Sequence, residues 1–104
     1  MKLNTPQINS LISAFLTVDN LQEMRKFLRD LLTEEEITEF SKRWQAAQML
    51  NKAVPYTTIV DKTGLSSTTV ARVAKWLKTG KGGYGLVLAR LSHHTNPSFG
   101  KRLS

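Results

Sequence analysis

A glycine separates two short runs of helix-compatible residues, Tyr56–Thr63 before it and Ser67–Thr79 after it. No other stretch constrains this chain so tightly. Glycine enters the left-handed conformation at little cost, so Gly64 ends the first run and turns the backbone. Ser66 is placed to cap the second run, since a hydroxyl there accepts from backbone N–H groups of the first turn. Ile59 and Val60 before the turn, Leu65 within it, and Val70 and Val73 after it have the spacing to meet in one apolar corner. Residues 56–79 therefore read as a helix-turn-helix, two short helices joined at a steep angle, with its centre at Tyr56–Lys75.

The rest of the chain also has helical periodicity, which predicts an all-α fold of six helices without strands. Ile8, Leu11, Ile12, Phe15 and Leu16 recur at helical spacing. Asp19, with Gln22 three residues on, reads as an N-cap for a second helix carrying Leu21, Met24, Leu28, Leu31 and Leu32. Thr33 with Glu36 has the pattern of a capping box. Three consecutive glutamates there suit the positive end of a third helix. Ile37, Phe40, Trp44, Ala47 and Leu50 form its predicted inner face. Gly80, Gly82 and Gly83 read as a break before a last short helix with Tyr84, Leu86, Val87, Leu88 and Leu91. These assignments give one domain over residues 1–92 and a basic, frayed tail over residues 93–104. The first three helices hold more apolar surface than the short helices after Pro55 can cover, so a homodimer is expected.

Charge divides the 104 residues unevenly. Residues 1–56 hold 7 basic and 7 acidic side chains, whereas residues 57–104 hold 8 basic and 1 acidic. The whole net charge of +7 thus falls in the half that contains the helix-turn-helix. Concentrated like charge is self-repelling and calls for a polyanionic partner. The outward face of the second motif helix supplies a reading surface. Ser67, Thr68 and Ala71 are small enough to enter a major groove, and Arg72 and Lys75 can bond to guanine edges or phosphates. Ser66, Ser67, Thr68, Thr69, Arg72 and Lys75 are the candidate groove residues. Lys62, Lys78 and Lys81 are the candidate phosphate contacts. Double-stranded DNA is the expected partner.

Other chemistries find little support. The chain has no cysteine, so disulfides and thiolate sites are excluded and a reducing cytoplasm is the natural setting. No apolar run approaches the ~20 residues of a membrane span, and the first residues lack a signal-peptide pattern. The stripe from Ile8 to Leu16 lacks the basic flank of a membrane-surface helix. Lys78, Gly80, Lys81, Gly82 and Gly83 could cradle a phosphate, yet no Gly-Lys-Ser/Thr closes a P-loop, and a helix cap followed by a hinge is the better reading. Adjacent His93 and His94 point apart on a helix and make no metal site. Trp44 and Trp76 sit on apolar stripes and read as core. No nucleophile has an orienting base, so neither an enzyme nor a cofactor is expected.

Several residues also carry a resemblance. Leu32-Thr33-Glu34-Glu35-Glu36, Arg43, Tyr56, Thr63-Gly64, Val70, Arg72-Val73 and Gly82-Gly83-Tyr84 resemble the Trp-repressor superfamily, most closely its YerC/YecD branch. Pro55 stands where that branch usually has a threonine cap. The resemblance runs from about Leu21 to Leu91. It implies an intertwined, all-helical homodimer that binds operator DNA as a sequence-specific transcriptional regulator, a repressor. A tryptophan-responsive repressor is one alternative. Another is a protein-interaction module built on a degenerate helix-turn-helix. The resemblance further implies that Arg43 and Arg72 occupy the positions of two arginines that hold an indole ring in the Trp repressor. At the matching positions nearby, that repressor has a glycine and a serine where this chain has Val73 and Trp76. On this reading Val73 and Trp76 fill the effector pocket, and tryptophan is not the effector.

Overall fold

A computed structural model of the chain describes residues 1–94. It consists of helices α1 (Pro6–Leu16), α2 (Leu21–Leu31), α3 (Glu34–Asn51), α4 (Tyr56–Thr63), α5 (Ser67–Thr79) and α6 (Gly83–His94). No strand occurs among the described residues. The last helix, α6, runs through His93 and His94, the first two residues of the expected tail. The remainder of the expected tail, residues 95–104, lies outside the described residues.

Two compact units divide the chain, the first over Met1–Glu34 and the second from Glu35 on. In the first, Thr5 caps α1 by accepting from the Ile8 N–H at 3.2 Å, and Pro6 occupies the first turn, where its missing N–H costs nothing. The cap of α2 lies one residue beyond the expected Asp19. Asn20 accepts from the Glu23 N–H at 2.9 Å, while the Glu23 carboxylate accepts from the Asp19 N–H at 3.0 Å. Glu23 rather than Gln22 completes this reciprocal pair because only the residue three beyond the cap can reach back. Phe15 and Phe27 meet edge to face at 5.1 Å between centroids. Even so, neither helix buries a residue fully, and Leu11, Ile12, Leu16, Leu21 and Leu31 are exposed.

The second unit holds the core. Ala46 and Ala47 of α3, Ile59 of α4, Leu65, and Val70 and Val73 of α5 form one buried cluster. Trp44, Met49, Leu50, Val54, Val60 and Tyr84 pack around it. The inner face of α3 differs from expectation. Phe40 is 48% exposed, while Ala46, unlisted by periodicity, is fully buried. Two adjacent alanines present little bulk, so neighbouring backbone can approach α3 closely there, and the larger side chains lie to either side. α4 packs on α5, and α5 on α6.

The end of α3 stores a small strain. Ala53 has φ of 60°, the left-handed region that an L residue with a Cβ enters at a cost. Its N–H donates to the Leu50 carbonyl and the Val54 N–H to the Met49 carbonyl, both at 3.0 Å, which is a Schellman closure. Val54 and Met49 also pack against the core, and this holds the closure in place. Replacing Ala53 by glycine should therefore stabilise the protein by about 1 kcal/mol. Thermal unfolding should show a midpoint several degrees higher. An unchanged or lower midpoint would contradict this account of the turn.

Candidate nucleic-acid interface

Three residues separate α4 from α5, and each has a defined task. Gly64 caps α4 with φ of 76°, its N–H donating to the Val60 carbonyl at 2.9 Å. Leu65 is 5% exposed and fills the corner between the helices. Ser66 caps α5 by accepting from the Thr69 N–H at 3.1 Å. Pro55 occupies the N-cap position of α4 and offers no side-chain hydrogen bond, so this helix starts without a polar cap.

Thr63 locks the corner from inside. It is 4% exposed, donates through its hydroxyl to the Ile59 carbonyl at 2.7 Å, and accepts from the Leu65 N–H at 3.2 Å. Without that oxygen the Leu65 N–H would be a buried donor lacking a partner.

Burial divides α5 into two faces. Val70, Val73 and Ala74 point inward. Ser67, Thr68, Ala71, Arg72 and Lys75 are exposed, and so are Lys62, Lys78 and Lys81. Two of the expected groove residues are engaged in the cap itself. The Ser66 hydroxyl donates to the Thr69 hydroxyl at 2.9 Å, and Thr69 is half-buried. Ser66 itself remains exposed, as are Ser67 and Thr68.

One cation joins this surface from a distant part of the sequence. The Lys42 ammonium nitrogen of α3 lies 3.7 Å from where a Cβ on Gly64 would stand, which places it at the turn. No motif spacing could reveal Lys42, because only the packing of α3 against the corner brings it there.

The residues of the expected effector pocket lie in different surroundings. Val73 is fully buried in the core. Arg43 is paired with Glu39 at 3.2 Å and lies 5.8 Å over the Phe40 ring. Trp76, read as core from its stripe, is 47% exposed. Position on a stripe does not ensure burial when the helix is near its end and its neighbours leave that side open. Trp76 instead lines a cavity of about 470 Å³ with Trp44, Lys81, Gly83, Tyr84 and Val87. Among the described residues no cluster of three or more metal-ligating side chains exists, and no helix is long and apolar enough to cross a membrane.

An all-helical protein with a short helical corner and a basic outer helix face defines the class. The model of the Trp repressor protein family matches residues 6–92, and the chain belongs to that family. It is 31% identical over 100 residues to YerC, an uncharacterised protein of Bacillus subtilis, with 96% of each chain covered. A TrpR-like protein from Eubacterium eligens superposes with a TM-score of 0.82 at 37% identity, covering 86% of this chain and 93% of its own. A Staphylococcus aureus protein described as a candidate Trp repressor also gives 0.82, at 33% identity, covering 92% and 99%.

The Thr63 lock generates a stability prediction. Thr63→Val keeps the shape but removes the acceptor for the buried Leu65 N–H, at a cost of about 1–3 kcal/mol. Denaturant unfolding should report that loss. A variant as stable as the parent would show that the corner does not depend on this bond.

Proposed function

We propose that the protein is a sequence-specific DNA-binding regulator that acts as a repressor, reading the major groove with the outer face of α5. The observation that carries this reading is the division of α5. Ser67, Thr68, Arg72 and Lys75 face outward, while Val70, Val73 and Ala74 anchor the same helix in the core. A rigid helix with small and basic outer residues meets the geometric demand of groove reading. Lys62, Lys78 and Lys81, with Lys42 beside the turn, supply cations for flanking phosphates. Membership of the Trp repressor family and the S. aureus neighbour support the same assignment. Such a protein would work beside the chromosome in the cytoplasm.

Two recognition helices binding two half-sites require a dimer. The apolar residues left exposed on α1 and α2, together with Phe40, support a homodimer. Light scattering at micromolar concentration should give twice the chain mass. A stable monomer would refute the dimer.

The basic residues should fail in different ways. Arg72→Ala should cost ~1–3 kcal/mol at the preferred site and relax sequence preference. Lys81→Ala should weaken binding to all duplexes alike and lower the salt slope by about one per site. In-vitro selection from a random duplex pool supplies the preferred site. A pool without enrichment, or equal effects of both variants on selected and random DNA, would favour a docking module over a base-reading helix.

Free tryptophan is not the effector on this reading. Val73 and Trp76 stand where the Trp repressor has a glycine and a serine, and overfilling a shaped site costs ~1–3 kcal/mol. Calorimetric titration with L-tryptophan should show no saturable binding. Micromolar binding that tightens the DNA complex would overturn this.

A further inference from the structure

The chemistry of α5 is one-sided. From Ser67 to Thr79 the helix carries no asparagine, glutamine, aspartate or glutamate. Asparagine and glutamine are the side chains that bond bidentately to adenine, and the two acids are those that accept from the cytosine amino group. What α5 exposes over its first two turns and just beyond is Ser67, Thr68, Ala71, Arg72 and Lys75. Thr68 and Ala71 lie three apart and so share one patch of the helix surface, each carrying a methyl group. Arg72, four residues from Thr68, borders that patch. Among the described residues Arg72 has neither an ion pair nor a side-chain hydrogen bond, so its guanidinium is uncommitted.

We propose that α5 selects a guanine and a thymine on neighbouring base pairs. Arg72 donates to N7 and O6 of the guanine, and the methyl groups of Thr68 and Ala71 pack on the 5-methyl of the thymine. This inference rests on the DNA-binding reading and names the bases that the helix distinguishes. In the major groove only guanine offers two adjacent acceptors, and only thymine carries a methyl group. Serine and threonine hydroxyls bond to several base edges, so they add affinity without choosing. With no side chain suited to adenine or cytosine, selection falls to Arg72 and the two methyl groups. Spacing limits where the contacts land. At 1.5 Å of rise per residue, Thr68 and Arg72 are about 6 Å apart along the helix axis, less than two base-pair steps of ~3.4 Å. Alanine at position 71 also keeps the helix close to the bases, where a longer side chain would hold it away.

Selection from a random duplex pool supplies the site for the test. Each thymine in it is replaced in turn by deoxyuridine, which removes the 5-methyl alone. Each guanine is replaced by 7-deazaguanine, which removes the N7 acceptor. One thymine should bind about fourfold more weakly as uracil. One guanine on the adjacent pair should bind about tenfold more weakly as its deaza form. In Thr68→Ser/Ala71→Gly the uracil penalty should vanish and the deaza penalty remain. Thr68→Ser alone, which keeps the hydroxyl and leaves position 71 intact, should reduce the uracil penalty. In Arg72→Ala the deaza penalty should vanish and the uracil penalty remain. Lys75→Ala should leave both in place. Each penalty is a ratio within one variant, so a general loss of stability cancels. Absence of either penalty, its persistence in the matched variant, or loss of the deaza penalty in Lys75→Ala overturns the assignment. So do penalties more than one base pair apart. Enrichment without these penalties overturns this inference alone, whereas a pool without enrichment overturns the base-reading function and this inference together.

Discussion

Everything the α4–α5 corner presents to solvent depends on how Ile59, Leu65, Val70 and Val73 close against Ala46 and Ala47. These six residues are all buried, and they belong to α3, α4, the turn and α5. The two alanines matter because they are small. A larger residue at either position would hold the corner away from α3 and leave voids, which a packed interior tolerates badly. The Thr63 hydroxyl then removes the remaining polar liability by accepting from the Leu65 N–H. Apolar closure fixes the angle between the helices, and one internal hydrogen bond makes that closure affordable for the backbone.

With its inner face immobilised, α5 can offer its other face without adapting to a partner. Reading bases requires side chains held within a fraction of an ångström, which flexible loops rarely achieve. The chemistry of the outer face is accordingly sparse: two outward hydroxyls, a methyl, a guanidinium and an ammonium. Ser66 and Thr69 hold the helix start. The surrounding lysines belong to α4, to the last turn of α5 and to the loop after it, with Lys42 reaching the turn from α3. From position 57 on, Asp61 is the one acidic residue.

The same end of α5 that leaves the core also opens the aromatic cavity. Gly80 terminates the helix, and a Cβ there would lie 2.5 Å from the Trp76 carbonyl oxygen. The chain can therefore cross close over the last turn only because position 80 is glycine. That close crossing is followed at once by Lys81 and by α6, which brings Tyr84 against Trp44. A backbone constraint at one residue thus places a cation beside three aromatic rings.

Much of this was legible in the sequence, and the limits have a physical cause. Periodicity and punctuation act over three or four residues, so they determined the six helices, the left-handed turn at Gly64, the Ser66 cap and the inward set Ile59, Leu65, Val70 and Val73. The charge division was equally plain, since it needs only counting. Local rules lost accuracy where two residues could perform one task, as with Asp19 and Asn20 before α2. They failed where the outcome depends on elements far apart in the chain. A helical stripe says which residues share a face, not whether another element covers that face. Phe40 and Trp76 were therefore read as interior and are half open, while Ala46 was overlooked and is buried. Lys42 at the turn and the cavity shared by α3, the α5–α6 connection and α6 have no signature in sequence spacing. Only tertiary packing decided them, because it alone sets distances between residues that the chain separates by twenty positions or more.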